Sequence, residues 1–63
     1  MKQTKAEKAM DKLIEQTYYA VANGVQVNVM DIRKIFAESR ALILSGSTPE
    51  AAVTSVVAKY RLN

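Results

Sequence analysis

Among the side chains that usually carry enzymatic chemistry, this sequence offers carboxylates, lysines, tyrosines and serines, but no His and no Cys. The commonest general base, the commonest metal ligand and the most reactive nucleophile are therefore all missing. The nearest approach to paired carboxylates is Glu7, Asp11 and Glu15, whose four-residue steps place them along one edge of a helix. Lys8 and Lys12 lie beside that row, and no loop borders it that could wall a pocket, so it reads as a charge-banded, solvated helix face. Gly24 and Gly46 stand alone, which leaves no glycine-rich loop to cradle a phosphate. The expectation is a protein that is not an enzyme, takes no cofactor or metal, and acts by binding.

Two surfaces carry side chains suited to that role. Lys5, Lys8, Lys12 and Tyr19 fall within a narrow arc of the first helix, nearly opposite Met10, where amines could follow a phosphate backbone and the ring could stack on a base. On the second helix, Arg33, Ala37, Arg40 and Leu44 share an arc beside the core stripe, a mixture closer to a protein interface than to a wet ridge. Nine Lys/Arg against six Asp/Glu give a net charge of +3 and a pI near 9.5. That balance leans towards a nucleic acid or an acidic protein as partner. DNA-linked regulation stands first, with an adaptor or inhibitor of a larger protein as the alternative.

The elements that must hold these surfaces are helices. Thr4-Lys5-Ala6-Glu7 has the form of a capping box. Behind it Ala6, Ala9, Met10, Leu13, Ile14, Thr17, Tyr18 and Val21 recur at three- and four-residue steps. Asn23-Gly24 supplies residues that tolerate a left-handed C-cap, with Val25 placed for the apolar contact beyond it, so the first helix is predicted over 5–23. Val25-Gln26-Val27-Asn28-Val29 alternates like a strand but is too short to make a sheet within one chain, and an extended linker is expected. Asn28 and Asp31 can cap a second helix over 29–44, with Ile32, Ile35, Phe36, Ser39, Leu42 and Ile43 inward and Ser45-Gly46-Ser47 as its stop. Thr48-Pro49-Glu50 reads as N-cap, Pro at the first helical position and an acid in the first turn. A third helix follows over 49–60, turning Ala52, Val53, Val56, Val57 and Tyr60 inward.

At 63 residues the chain makes one domain, residues 1–63, and a domain of this size buries only about 60% of the surface its unfolded chain exposes. Disulfides and His- or Cys-ligated metals are closed to it, which leaves oligomerisation or close helix packing as the means of compensation. On the face of the third helix opposite Val53, Ala51, Ser55, Ala58 and Leu62 form a straight row that a second helix could approach closely, so a homodimer is expected there. No stretch approaches the roughly 20 apolar residues of a membrane span. The start at Met1-Lys2-Gln3 leads into charge rather than an apolar signal core, and the expected place is the cytoplasm.

The run Val25-Gln26-Val27-Asn28-Val29, a helix, the turn Ser45-Gly46-Ser47-Thr48 and a further helix together resemble the layout of ribbon-helix-helix repressors over about residues 25–62. The resemblance implies two chains pairing their strands into a ribbon that enters the DNA major groove, with Gln26 and Asn28 reading adenine edges. It would add an N-terminal helix to that layout. A helix-turn-helix across Ser45-Gly46-Ser47 is a further arrangement, but its second helix would begin Thr48-Pro49-Glu50-Ala51-Ala52, with little to hold a phosphate. The expected fold class is all-α, a compact three-helix bundle forming a homodimer, with the ribbon-helix-helix-like dimer as the alternative.

Overall fold

The computed structural model describes residues 4–62, and within them three helices pack around one small apolar core. The reading of Met1-Lys2-Gln3 lies outside the described residues. Helix α1 spans Lys5–Val21, α2 spans Ile32–Leu44 and α3 spans Pro49–Tyr60. The expected starts are formed by the expected side chains. The Thr4 hydroxyl accepts from the Glu7 amide at 3.1 Å and the Thr48 hydroxyl accepts from the Ala51 amide at 3.2 Å, each satisfying a donor that the helix leaves open.

Two boundaries differ from the sequence reading, both for local reasons. Helix α1 stops at Val21 instead of continuing to 23: the Val25 amide turns back to the Ala22 carbonyl at 2.9 Å, and Gly24 takes φ 80°. That turn brings Val25 back onto the core. At the second helix, the Asn28 side chain accepts from the Met30 amide at 2.9 Å and the Asp31 amide reaches the Asn28 carbonyl. These short closures tighten Val29–Asp31 into a 3-10 turn before α-helical geometry takes over at Ile32.

The end of α2 is a Schellman closure. Gly46 donates to Ile43, Ser47 donates to Leu42, and Gly46 takes φ 116°, a conformation that an L side chain would oppose. The chain thereby reverses within three residues and delivers Thr48 to cap α3.

Inside, Ile14 and Tyr18 of α1 and Ile35 of α2 meet Val53, Val56 and Val57 of α3. Met10, Val21, Val25, Val27, Phe36 and Tyr60 close the rim. Ala6, Ala9 and Leu13, expected on the stripe, remain exposed. With 17 residues against 13 and 12, α1 is roughly 6–8 Å longer than its partners, so its first turns outrun the bundle.

The alternating run follows its pattern as far as Asn28 and breaks at Val29, which enters the 3-10 turn and is exposed. Val25 and Val27 are half-buried while Gln26 and Asn28 face out, and the backbone makes one antiparallel bridge, Val27 to Arg61, with the Leu62 amide donating to the Gln26 carbonyl at 2.8 Å. Beyond this bridge no strand forms among the described residues, and no described helix is long and apolar enough to cross a membrane.

One buried group is at odds with its surroundings. Ser39 is fully enclosed, 0% exposed, and its hydroxyl has no hydrogen-bond partner among the described residues. An unsatisfied buried hydroxyl costs roughly 1–3 kcal/mol. Replacing Ser39→Ala is therefore expected to stabilise the fold by about 1 kcal/mol, read as a higher urea midpoint; a decrease of similar size would show that the hydroxyl is bonded.

Candidate functional site

The outer face of α1 is built by the same geometry that buries its inner face. Ile14 and Tyr18 point into the core, and the helical period then carries Lys5, Lys8, Lys12 and Tyr19 into an arc on the far side, where all four are exposed. Along the axis the three amines are spaced at about 4.5 and 6 Å, with Tyr19 about 10 Å beyond Lys12.

The fold's ion pairs decide how basic that face is. The Arg40 guanidinium of α2 donates through Nη2 to Asp11 of α1, Lys59 of α3 donates to Glu38 of α2 at 2.9 Å, and Lys34 lies 4.0 Å from Asp31. Glu7 is turned back onto the helix start, where its carboxylate accepts from the Thr4 hydroxyl at 3.2 Å, a different donor from the Thr4 amide of a capping box. The acidic edge read from Glu7, Asp11 and Glu15 is thus broken up, and its middle member is neutralised by α2. Lys5, Lys8, Lys12 and Arg33 have no carboxylate within 4.0 Å among the described residues. Glu15 is the carboxylate that still flanks the row.

Tyr19 is held more firmly than an exposed side chain usually is. Its ring meets Tyr18 edge to face, with centroids 5.7 Å apart at 65°, and Tyr18 in turn meets Phe36 of α2 at 5.5 Å and 70°. Edge-to-face aromatic pairs of this kind favour one orientation. Tyr18 is 8% exposed and Tyr19 is 66% exposed, so a buried ring anchors a ring that solvent reaches. The sequence placed Tyr18 and Phe36 on separate core stripes, and nothing in it shows that the two stripes meet at these rings.

The other sequence-derived positions divide differently. Gln26 and Asn28 are exposed side by side, but the Asn28 side-chain oxygen is engaged as the cap of the 3-10 turn. On α2, Arg33, Ala37 and Leu44 are exposed, whereas Arg40 is half-buried, bonded to Asp11 and with its Nε enclosed. The structure therefore gives Arg40 a part in joining α1 to α2. Ala51, Ser55 and Ala58 lie on the exposed side of α3, but Leu62, expected to continue that row, falls beyond the helix end at Tyr60: Arg61 is extended, and the Leu62 amide donates to the Gln26 carbonyl.

A second polar cluster ties α3 to α2. Glu38 accepts from the Tyr60 hydroxyl and from Lys59, whose Nζ also sits 5.4 Å from the Tyr60 ring centroid. The bond from Tyr60, followed by that from Lys59, lowers the Glu38 pKa from its ordinary value of 4.5. The same bonds raise Tyr60 above 10.0 and Lys59 above 10.5.

Comparison of the chain with protein-family models, curated proteins and solved structures gives no match.

The Glu38 cluster makes stability depend on pH in a definite direction. A depressed carboxylate pKa contributes stability above the unfolded value, near 4.5, and loses it as pH falls through the lower folded value. Raised Tyr60 and Lys59 values contribute below their ordinary values and lose that contribution as pH rises through the raised ones. Glu38→Gln should therefore lower the thermal midpoint at neutral pH, and the gap from wild type should narrow as the pH is taken below 4.5 and through the lowered folded value. A gap that stays constant as the carboxylate is protonated would mean that its charge does not support the fold.

Proposed function

We propose that the chain is a small, non-enzymatic regulatory protein that binds DNA through the outer face of α1. The observation that carries this reading is the distribution of charge partners: three of the acids are engaged by Arg40, Lys59 and Lys34, while Lys5, Lys8 and Lys12 stand in one exposed row that makes no ion pair within 4.0 Å among the described residues, with Glu15 at its border. A row of ammonium groups without internal partners is available to phosphates, whose neutralisation releases condensed counterions and provides the bulk of non-specific DNA affinity. Arg33 adds a further exposed cation on α2. Gln26 adds an exposed amide, a side chain that suits adenine edges, beside Asn28, whose oxygen caps the 3-10 turn.

A second reading, an adaptor or inhibitor acting on a larger protein, is favoured by one feature. In the 3-10 turn that leads into α2, Val29 and Met30 are about four-fifths exposed, and Leu44 at the far end of α2 is 70% exposed. Large apolar side chains left open at both ends of one helix suit a helical protein contact.

The two readings separate on salt. Lys8→Glu combined with Lys12→Glu should weaken DNA binding uniformly across sequences and reduce the slope of log affinity against log salt by about 0.9 for each phosphate that the variant no longer neutralises. No binding by wild type at low salt would transfer the function to a protein partner.

Self-association belongs to the same proposal. Ala51, Ser55 and Ala58 form an exposed row of small residues on α3 that lets a second helix approach, with exposed Leu62 just beyond the helix end, and a two-fold pairing would enlarge the small core. Ala58→Glu should give a monomer in analytical ultracentrifugation, with a thermal midpoint that no longer depends on concentration. Wild type sedimenting as a monomer at high concentration would reject this interface.

A further inference from the structure

Resting on the DNA reading above, we infer that the α1 face selects single-stranded over double-stranded DNA, with Lys5, Lys8 and Lys12 following the backbone and Tyr19 stacking on an unpaired base. Amines alone would not distinguish the two forms, since both present phosphates. The distinction lies in Tyr19. A duplex stacks its bases on one another and offers a protein base edges in its grooves, so an isolated aromatic plane finds nothing to stack on. A single strand can turn a base outward, and every base has a face that a ring can cover.

Three features make Tyr19 suited to that task. It stands on the same arc as the amines, about 10 Å along the axis from Lys12, which leaves it near a strand that the lysines already hold. Its ring is two-thirds exposed, so surface remains open to a base. Its orientation is fixed from behind by Tyr18, itself buried and braced by Phe36 of the neighbouring helix. A ring oriented before binding loses less freedom when a base arrives. Of the side chains that can read base edges in pairs, the described part of α1 has no Arg and no Asn, and Gln16 at the border of the face is its single amide. Recognition by stacking without sequence preference fits that composition.

The test uses the full chain and fluorescence anisotropy at low salt, with a labelled oligothymidine of about 15 nucleotides, the same strand in duplex, and the matching oligouridine RNA. Single-stranded DNA is expected to bind several-fold more tightly than the duplex. Tyr19→Ala should weaken single-strand binding about ten-fold while leaving duplex binding unchanged, and Tyr19→Phe should retain wild-type affinity because the ring is kept. Circular dichroism of Tyr19→Ala should match wild type, since the side chain lies outside the core. Duplex binding as tight as single-strand binding, with Tyr19→Ala neutral, would overturn the inference while leaving the DNA reading in place. Tighter binding of the RNA would overturn the choice of DNA as the strand. Absence of binding to all three would overturn both readings.

Discussion

Packing of α3 between the other two helices is the constraint from which the rest of the molecule follows. Its buried face is made of Ala52, Val53, Val56 and Val57, short side chains that let α1 and α2 come close on either side. Ile14, Tyr18 and Ile35 supply the larger volumes that fill the space between them. Because the Val side chains are β-branched, they have one strongly preferred rotamer in a helix, so a small core holds one arrangement. The capped start at Thr48 and the Schellman closure before it set where α3 begins, and thereby which residues face inward.

Once α3 is seated, the polar groups at its margins have few places to go. Tyr60 and Lys59 reach Glu38 on α2, and Arg61 and Leu62 run alongside Val27 and Gln26, so the end of the helix is held against both α2 and the linker. Arg40 and Asp11 perform the corresponding tie between α2 and α1. The consequence for the surface is indirect. Asp11, drawn into the contact with α2, is one carboxylate fewer to neutralise the lysines on the outside of α1, so stabilising the bundle and leaving that row more basic are two results of one arrangement.

The aromatic chain from Phe36 through Tyr18 to Tyr19 links the core to that row. Tyr18 and Tyr19 are consecutive and point in directions about 100° apart, as any neighbouring pair on a helix must. One ring therefore enters the core while the next faces outward, and their edge-to-face contact passes the order of the interior to a side chain that solvent reaches. The proposed function combines the two outcomes: cations left without internal partners and a ring held in place.

Much of this was determined by the sequence alone, and the reason is range. Helix starts at Thr4 and Thr48, the stop at Gly46 and the inward stripes depend on residues one to five positions apart, for which backbone geometry is the same in every protein. The alternation of Val25 to Asn28 likewise shows which side of the chain turns inward. What depended on which helix lies beside which was decided only by the tertiary structure. Asp11 and Arg40 are 29 positions apart, and Glu38 lies 22 from Tyr60. A helical wheel assigns each of them a direction without naming the neighbour in that direction. Arg40 was legible as an outward cation and became the partner of Asp11 because α2 crosses α1 there. Lys8 and Lys12 were legible as a charge band and became an unpartnered basic row because α2 engaged the acid between them.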